Sequence, residues 1–250
     1  TPAFLVLGGP SLNQINFDQV VDSEILTMGV NNTWGVFTPD LWTCVDPPKK
    51  FLYSGWMNPQ IMKFIPRRLK QHPLRWKPTE NDWIETGIKA GYAPNTYLFD
   101  RNTNFNHQGF LTEDTVNWGQ TGKKKCSIGI HSARSVMFAA LKILYILGIR
   151  RVYLLGCDFQ MSDSKKYAFD QHRGAGAIKG NNRSYGIMKQ RLEALKPHFE
   201  EYDFSVYNCN PASGLKVFPH KDLDEVLHVE TVQKKKDYDT KGWYEAEPEN

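Results

Sequence analysis

The feature that most restricts what this chain can fold into is its first apolar run. Residues 3–7 are Ala-Phe-Leu-Val-Leu without a break, and Gly8-Gly9-Pro10-Ser11 follows at once. An unbroken apolar run suits a strand buried on both faces, as in a parallel sheet. The device recurs along the chain. Ile25 to Val30 ends at Asn31-Asn32, and Leu41 to Val45 ends at Asp46. Arg151 to Leu155 ends at Gly156-Cys157-Asp158, and Phe204 to Asn208 ends at Asn210-Pro211. Helical spacing appears over Ala133 to Leu147, closed by Gly148, then over Tyr185 to Phe199, with a short terminal helix over Leu223 to Leu227. Strands alternating with helices predict an α/β, Rossmann-like domain with a mostly parallel sheet.

From 49 to 125 the pattern is irregular, with most of the tryptophans and a basic segment. The expectation is one domain over 1–230 with a tryptophan-rich, basic insertion at about 49–125, and a charged tail over 231–250. Composition agrees with a globular chain: 250 residues, 40% hydrophobic and 23% charged, are enough to bury a large core unaided. The longest apolar stretch, Val136 to Leu147, is interrupted by Lys142 and too short to span a membrane. The N-terminus enters a strand directly, so no secretory leader is expected. None of the 4 cysteines forms a Cys-x-x-Cys pair, so a reducing, cytoplasmic location without a zinc site is expected.

In an open parallel sheet, ligands bind beyond the carboxyl ends of the strands. Gly8 and Gly9 let the backbone approach a phosphate, and free amides with the Ser11 hydroxyl can cradle its oxygens. A plain strand-to-helix connector would read the same way. The turn is neither the dinucleotide fingerprint nor a Walker loop, since Pro10 and Ser11 occupy the wrong places. Asn31 and Asn32 can grip a ribose or base, or simply form a turn. Asp46, stiffened by two following prolines, can act as a general base or cap the turn. His131 and His172 are further base candidates.

The net charge of +4 is modest, but Lys63 to Lys77 concentrates cations. Arg67, Arg68, Lys70, Arg75 and Trp76 there mix phosphate-binding side chains with a stacking surface, the pattern of a nucleic-acid contact. A solvated basic loop is the plainer alternative.

Taken together, Leu7 to Leu12, Val30-Asn31-Asn32, Leu147 to Phe159, Tyr167 to Asp170 and Asn208 to Pro211 resemble the bacterial sialyltransferases of glycosyltransferase family 42. They also resemble the family around an archaeal hydroxymethylpterin diphosphokinase, which shares the Gly-x-Asp element. The resemblance runs over most of positions 4–230 and implies a GT-A-like sheet of the sialyltransferase type. It implies a nucleotide-sugar donor on Gly8, Gly9, Pro10, Ser11 and Asn31, with Ser132 and Ala133 at the family's Ser-Gly step. It implies that Tyr167 steadies the leaving phosphate without a metal. The departures are specific. Asp46 stands where the family has Asn, and Gln160 stands where it has its first tyrosine. The stretch Lys179 to Ser184, which holds Arg183, lacks the family's histidine. The catalytic base is therefore open between Asp46, His172 and His131. Asn32, Asp158, Gln160 and Arg183 complete the expected donor site.

Glycosyl transfer onto a glycan, or onto a hydroxymethylated pyrimidine in DNA, is the expected activity. Metal-dependent pyrophosphoryl or nucleotidyl transfer, and a non-catalytic nucleotide-binding module, are the alternatives.

Overall fold

The computed structural model describes residues 1–77, 83–100, 107–112, 135–160, 168 and 175–234. Its centre is a seven-stranded, wholly parallel sheet: β1 (Pro2–Val6), β2 (Leu26–Val30), β3 (Leu41–Thr43), β4 (Met62–Pro66), β7 (Thr96–Phe99), β8 (Arg151–Leu155) and β9 (Ser205–Asn208). The order is β7-β4-β3-β2-β1-β8-β9, and β5 (Pro73–Trp76) and β6 (Ile84–Lys89) form a separate antiparallel hairpin. The chain winds outward from β1 through β2, β3, β4 and β7, then returns to the other side of β1 for β8 and β9. This is a doubly wound α/β sheet, Rossmann-like in order.

The first apolar run is explained by its position. Ala3, Leu5 and Leu7 pack into the core beneath α3 (Val136–Ile146) and α4 (Ala175–Glu201). Phe4 and Val6 face the opposite layer, with Val20 of α1 (Phe17–Asp22) and Val226 of α5 (Leu223–Lys234). A strand buried on both sides has no polar face. Helix α3 starts where the Ser135 side chain accepts the Met137 amide, at 3.2 Å. It stops at Gly148 (φ +85°), whose amide bonds the Tyr145 carbonyl while that of Ile149 bonds Leu144. Helix α5 is clamped to β8 by a buried cluster. Arg151 gives two hydrogen bonds to Glu230, at 2.9 and 2.7 Å, and Tyr153 Oη donates to the same carboxylate at 2.6 Å.

The stretch expected as an insertion over 49–125 differs in one respect. It supplies β4 and β7 to the main sheet, and the excursion proper is the hairpin with its flanking turns. Lys63 is the reason β4 is hard to see. It is the second residue of the strand and is fully buried. Its Nζ donates to the carbonyls of Asn58, Ile61 and Pro94 at 2.6, 2.9 and 2.8 Å. Burial pushes this ammonium down to about 8, so it remains charged at neutral pH and fills all three bonds. Helix α4 begins ten residues before the expected Tyr185, and α5 continues past 230 into the expected tail. No helix among the described residues is long and apolar enough to cross a membrane.

Candidate functional site

The order of strands reverses between β1 and β8, and the crevice beyond their carboxyl ends is the natural ligand position of such a sheet. Gly8 to Ser11 leave β1 there, Gly156 to Asp158 leave β8, Asn31-Asn32 leave β2, Asp46 lies just past β3, and Arg67-Arg68 leave β4. The parallel register therefore gathers most of the expected residues along one edge.

The geometry at Ser11 corrects the phosphate cradle. Both the Ser11 hydroxyl, at 2.7 Å, and its amide, at 3.4 Å, donate to Oδ2 of Asp158. The donors expected to hold a phosphate are engaged by a carboxylate, which would repel an anion at that point. Gly9 is glycine for the same internal reason. A Cβ there would lie 1.9 Å from Asp158 Oδ2 and 2.5 Å from the Gly156 carbonyl. Its amide bonds that carbonyl at 2.9 Å. Gly156 (φ +65°) and Phe159 (φ +53°) bend the chain sharply around the carboxylate. The segment after β9 closes it from behind, with the Gly214 amide on the Asp158 carbonyl at 2.7 Å and the Ser213 hydroxyl on that of Cys157. Burial first, and the Asp158 carboxylate second, push the Cys157 thiol up, which disfavours its thiolate form. Gln160 is exposed and donates to the Ala212 carbonyl at 3.4 Å. The Ala168 amide bonds the Gly8 carbonyl at 3.1 Å, so one residue of the segment between β8 and α4 sits on the glycine turn.

The β2 side is different. Asn31 adopts φ +54°, and its carbonyl accepts the Trp42 indole at 2.7 Å. The side-chain oxygens of Asn31 and Asn32 are both buried and have no hydrogen-bond partner among the described residues. Asn32 Nδ2 donates to the Lys50 carbonyl at 3.4 Å. Such oxygens lose their hydration without compensation unless a ligand donor meets them. Asp46, half-exposed, is held by Lys50 Nζ at 2.9 Å, and Lys50 is the residue whose carbonyl Asn32 meets.

The expected acceptor residues divide. Arg67 pairs with Asp100 at 3.0 Å, Arg68 donates to the Val45 carbonyl at 2.7 Å, and Lys70 lies over the Tyr92 ring at 5.3 Å. These three stay with the sheet edge and the turns around it. Arg75 and Trp76 belong instead to the hairpin, where they line a cavity of about 550 Å³ that also takes in Asn32, Lys50 and Trp83. Beneath this region Trp34 and Trp42 stack at 4.0 Å, and Trp56 meets Trp42 edge-on at 5.1 Å. Lys50, Lys77 and Trp83 were not among the expected site residues. For Lys77 and Trp83 the local signal is the alternation of basic and aromatic residues near Trp76; Lys50 carries no such signal. His131, Ser132, Ala133, Tyr167 and His172 lie outside the described residues, as does the Arg183 side chain on α4.

No family model, no curated protein and no solved structure matches this chain. Its chemistry has to be argued from the crevice itself.

Proposed function

We propose that this chain is a nucleotide-sugar-dependent glycosyltransferase whose donor lies across the carboxyl edge of the sheet, at the switch point between β1 and β8. The observation that carries the reading is the pair of buried, unpartnered amide oxygens on Asn31 and Asn32. In this reading they accept hydrogen bonds from ribose hydroxyls or a base amino group once the donor enters. Asp158, held by Ser11 through one oxygen only, suits a second ribose or sugar hydroxyl better than a phosphate. In this reading the phosphates point away from Asp158.

In the reaction an acceptor hydroxyl oxygen attacks the anomeric carbon. The new carbon–oxygen bond forms as the bond from that carbon to the nucleotide phosphate breaks, and the electron pair leaves with the phosphate. The acceptor proton passes to a base. Asp46 is the base this reading prefers, since it follows β3 at the same edge of the sheet and is linked to Asn32 through Lys50. Tyr167 and Arg183 support the charge that develops on the leaving phosphate.

The test is calorimetric titration with a panel of nucleoside diphosphate and monophosphate sugars, followed by donor turnover with and without a chelator. At least one donor should bind, and Asn31→Ala with Asn32→Ala should weaken it about tenfold, the scale of one or two lost buried hydrogen bonds. Turnover should survive the chelator. Binding of nucleoside triphosphates alone, with turnover abolished by magnesium removal, would replace this reading with phosphoryl or nucleotidyl transfer.

A further inference from the structure

We infer that the groove beside Asn32 is the acceptor site, and that its occupant is a single-stranded nucleic-acid segment offering one unstacked nucleotide. The word acceptor rests on the glycosyl-transfer reading above; the binding does not.

The groove lies between the turn that carries Lys49 and Lys50, the start of α2 (Tyr53–Met57), and the β5–β6 hairpin. At about 550 Å³ it is within the range of sites that enclose a small ligand, one nucleotide included. Its hairpin wall presents two indoles to solvent: Trp76 is 49% exposed and Trp83 50%. Large aromatic faces left in water beside a cavity are surfaces awaiting a partner. Four cations border the same space, Lys49, Lys50, Arg75 and Lys77. Two are already paired, Lys50 with Asp46 at 2.9 Å and Arg75 with Glu85 at 2.8 Å. Among the described residues Lys49 and Lys77 have no carboxylate partner. Lys77 Nζ lies 5.7 Å from the Trp83 ring centre, so a charge and a stacking face are presented together. Glu80 and Asp82 lie outside the described residues.

Indoles interleaved with cations are what a single strand requires: bases stack on the rings and phosphates meet the ammonium groups. A neutral glycan would use a ring face and hydrogen bonds, but would leave the cations without a role. The position adds to the case. Asn32 lines the groove and also belongs to the proposed donor site, and Lys50 links the groove wall to Asp46. An unstacked nucleotide in this groove would stand beside the donor and the base, as enzymes acting on a nucleotide within a polymer require.

The experiment is a fluorescence-anisotropy titration with a labelled oligothymidylate of about a dozen nucleotides, sized to a single-strand binding face, at several salt concentrations. Duplex DNA and neutral and sulfated oligosaccharides serve as competitors. The oligonucleotide should bind, and affinity should fall linearly on a log–log salt plot. Trp76→Ala and Trp83→Ala should each weaken binding roughly tenfold, within the range for a lost base–aromatic stack. Trp76→Phe should recover most of that loss, which separates stacking from damage to the hairpin. Changing Lys49 and Lys77 together to Ala should flatten the salt slope by about one to two. Asn31→Ala should leave oligonucleotide affinity unchanged while lowering nucleotide affinity, so the two readings fail separately. Absent oligonucleotide binding at low salt, or binding indifferent to both tryptophans, overturns the inference. So does an oligosaccharide that binds in a tryptophan-dependent way when the oligonucleotide does not.

Discussion

On the β1–β8 side of the crevice, Ser11 gives its amide and hydroxyl to Asp158, and Gly9 is pressed against the same carboxylate. On the β2–β3 side, Asn31 and Asn32 hold buried side-chain oxygens that meet no donor among the described residues, and Asn31 takes a left-handed backbone to do so. The two sides carry similar small polar residues at similar strand ends, yet their bonding capacity differs. The first uses it to fasten two loops together. The second leaves it unfilled among the described residues at some cost in stability, which is why the proposed reading puts the ligand there. A glycine turn after the first strand is thus not by itself a phosphate site.

The strongest way to break this contrast is Gly9→Ala. The added Cβ would fall 1.9 Å from Asp158 Oδ2 and 2.5 Å from a backbone carbonyl, so the two loops must separate. A loss of about 3 kcal/mol or more is expected in urea unfolding, at the upper end of overpacking effects. A change below about 1 kcal/mol, the scale of most surface substitutions, would show that the β1 turn is looser than its contacts imply.

Acid should also separate the two sides, through the cluster that clamps β8 to α5. Burial acts to raise the Glu230 carboxyl, but the hydrogen bonds from Arg151 and Tyr153 outweigh it and hold the group below the usual range. A carboxylate depressed in the folded state stabilises above its unfolded value, about 4.3, and that contribution is lost as pH falls through the folded value. The stability gap between the natural chain and Glu230→Gln should therefore be widest near neutrality and close below about pH 4. Unfolding midpoints across that range check it, and a gap independent of pH would remove Glu230 from the clamp. Nucleotide affinity, which the proposed reading assigns to the β2 side, should not follow Glu230.

How much of this was visible in the sequence follows the same division. The apolar runs of β1, β2, β3 and β8 announce strands buried on both faces, and their polar ends announce the edge where a ligand belongs. β4 does not announce itself, because a strand with Lys63 in it reads as solvent-facing. Three carbonyls, those of nearby Asn58 and Ile61 and that of Pro94 from 31 positions away, make that ammonium tolerable inside. The first turns of α4 are similarly obscured by Gly176, Gly180, Asn181 and Asn182, which are weak helix formers. The role of Ser11 was illegible for a topological reason. Its partner Asp158 lies 147 positions away, and no local pattern records that contact. The groove is partly legible, since Trp76 and Lys77 stand in a basic, aromatic stretch. Its other wall, Lys49 and Lys50, joins them only through the fold.

The smallest effects should be the most discriminating, because they differ in sign. Ser11→Ala removes one bond to Asp158 and leaves the amide, so it should cost about 1 kcal/mol of stability, a typical single hydrogen bond. Donor affinity should hardly change, since the hydroxyl serves the protein. Asn31→Gly should do the reverse. Glycine accepts φ +54° without the penalty an L side chain bears there, and it removes a buried oxygen that lacks a donor. Stability should rise by roughly 1 kcal/mol, the scale of one relieved left-handed residue. Nucleotide affinity should meanwhile fall. A destabilised Asn31→Gly would mean that the Asn31 oxygen does meet a partner in the free protein, and the distinction between the two sides of the crevice would fail with it. A stabilised variant that still binds nucleotide at full strength would keep the backbone strain but move the ligand contact to Asn32.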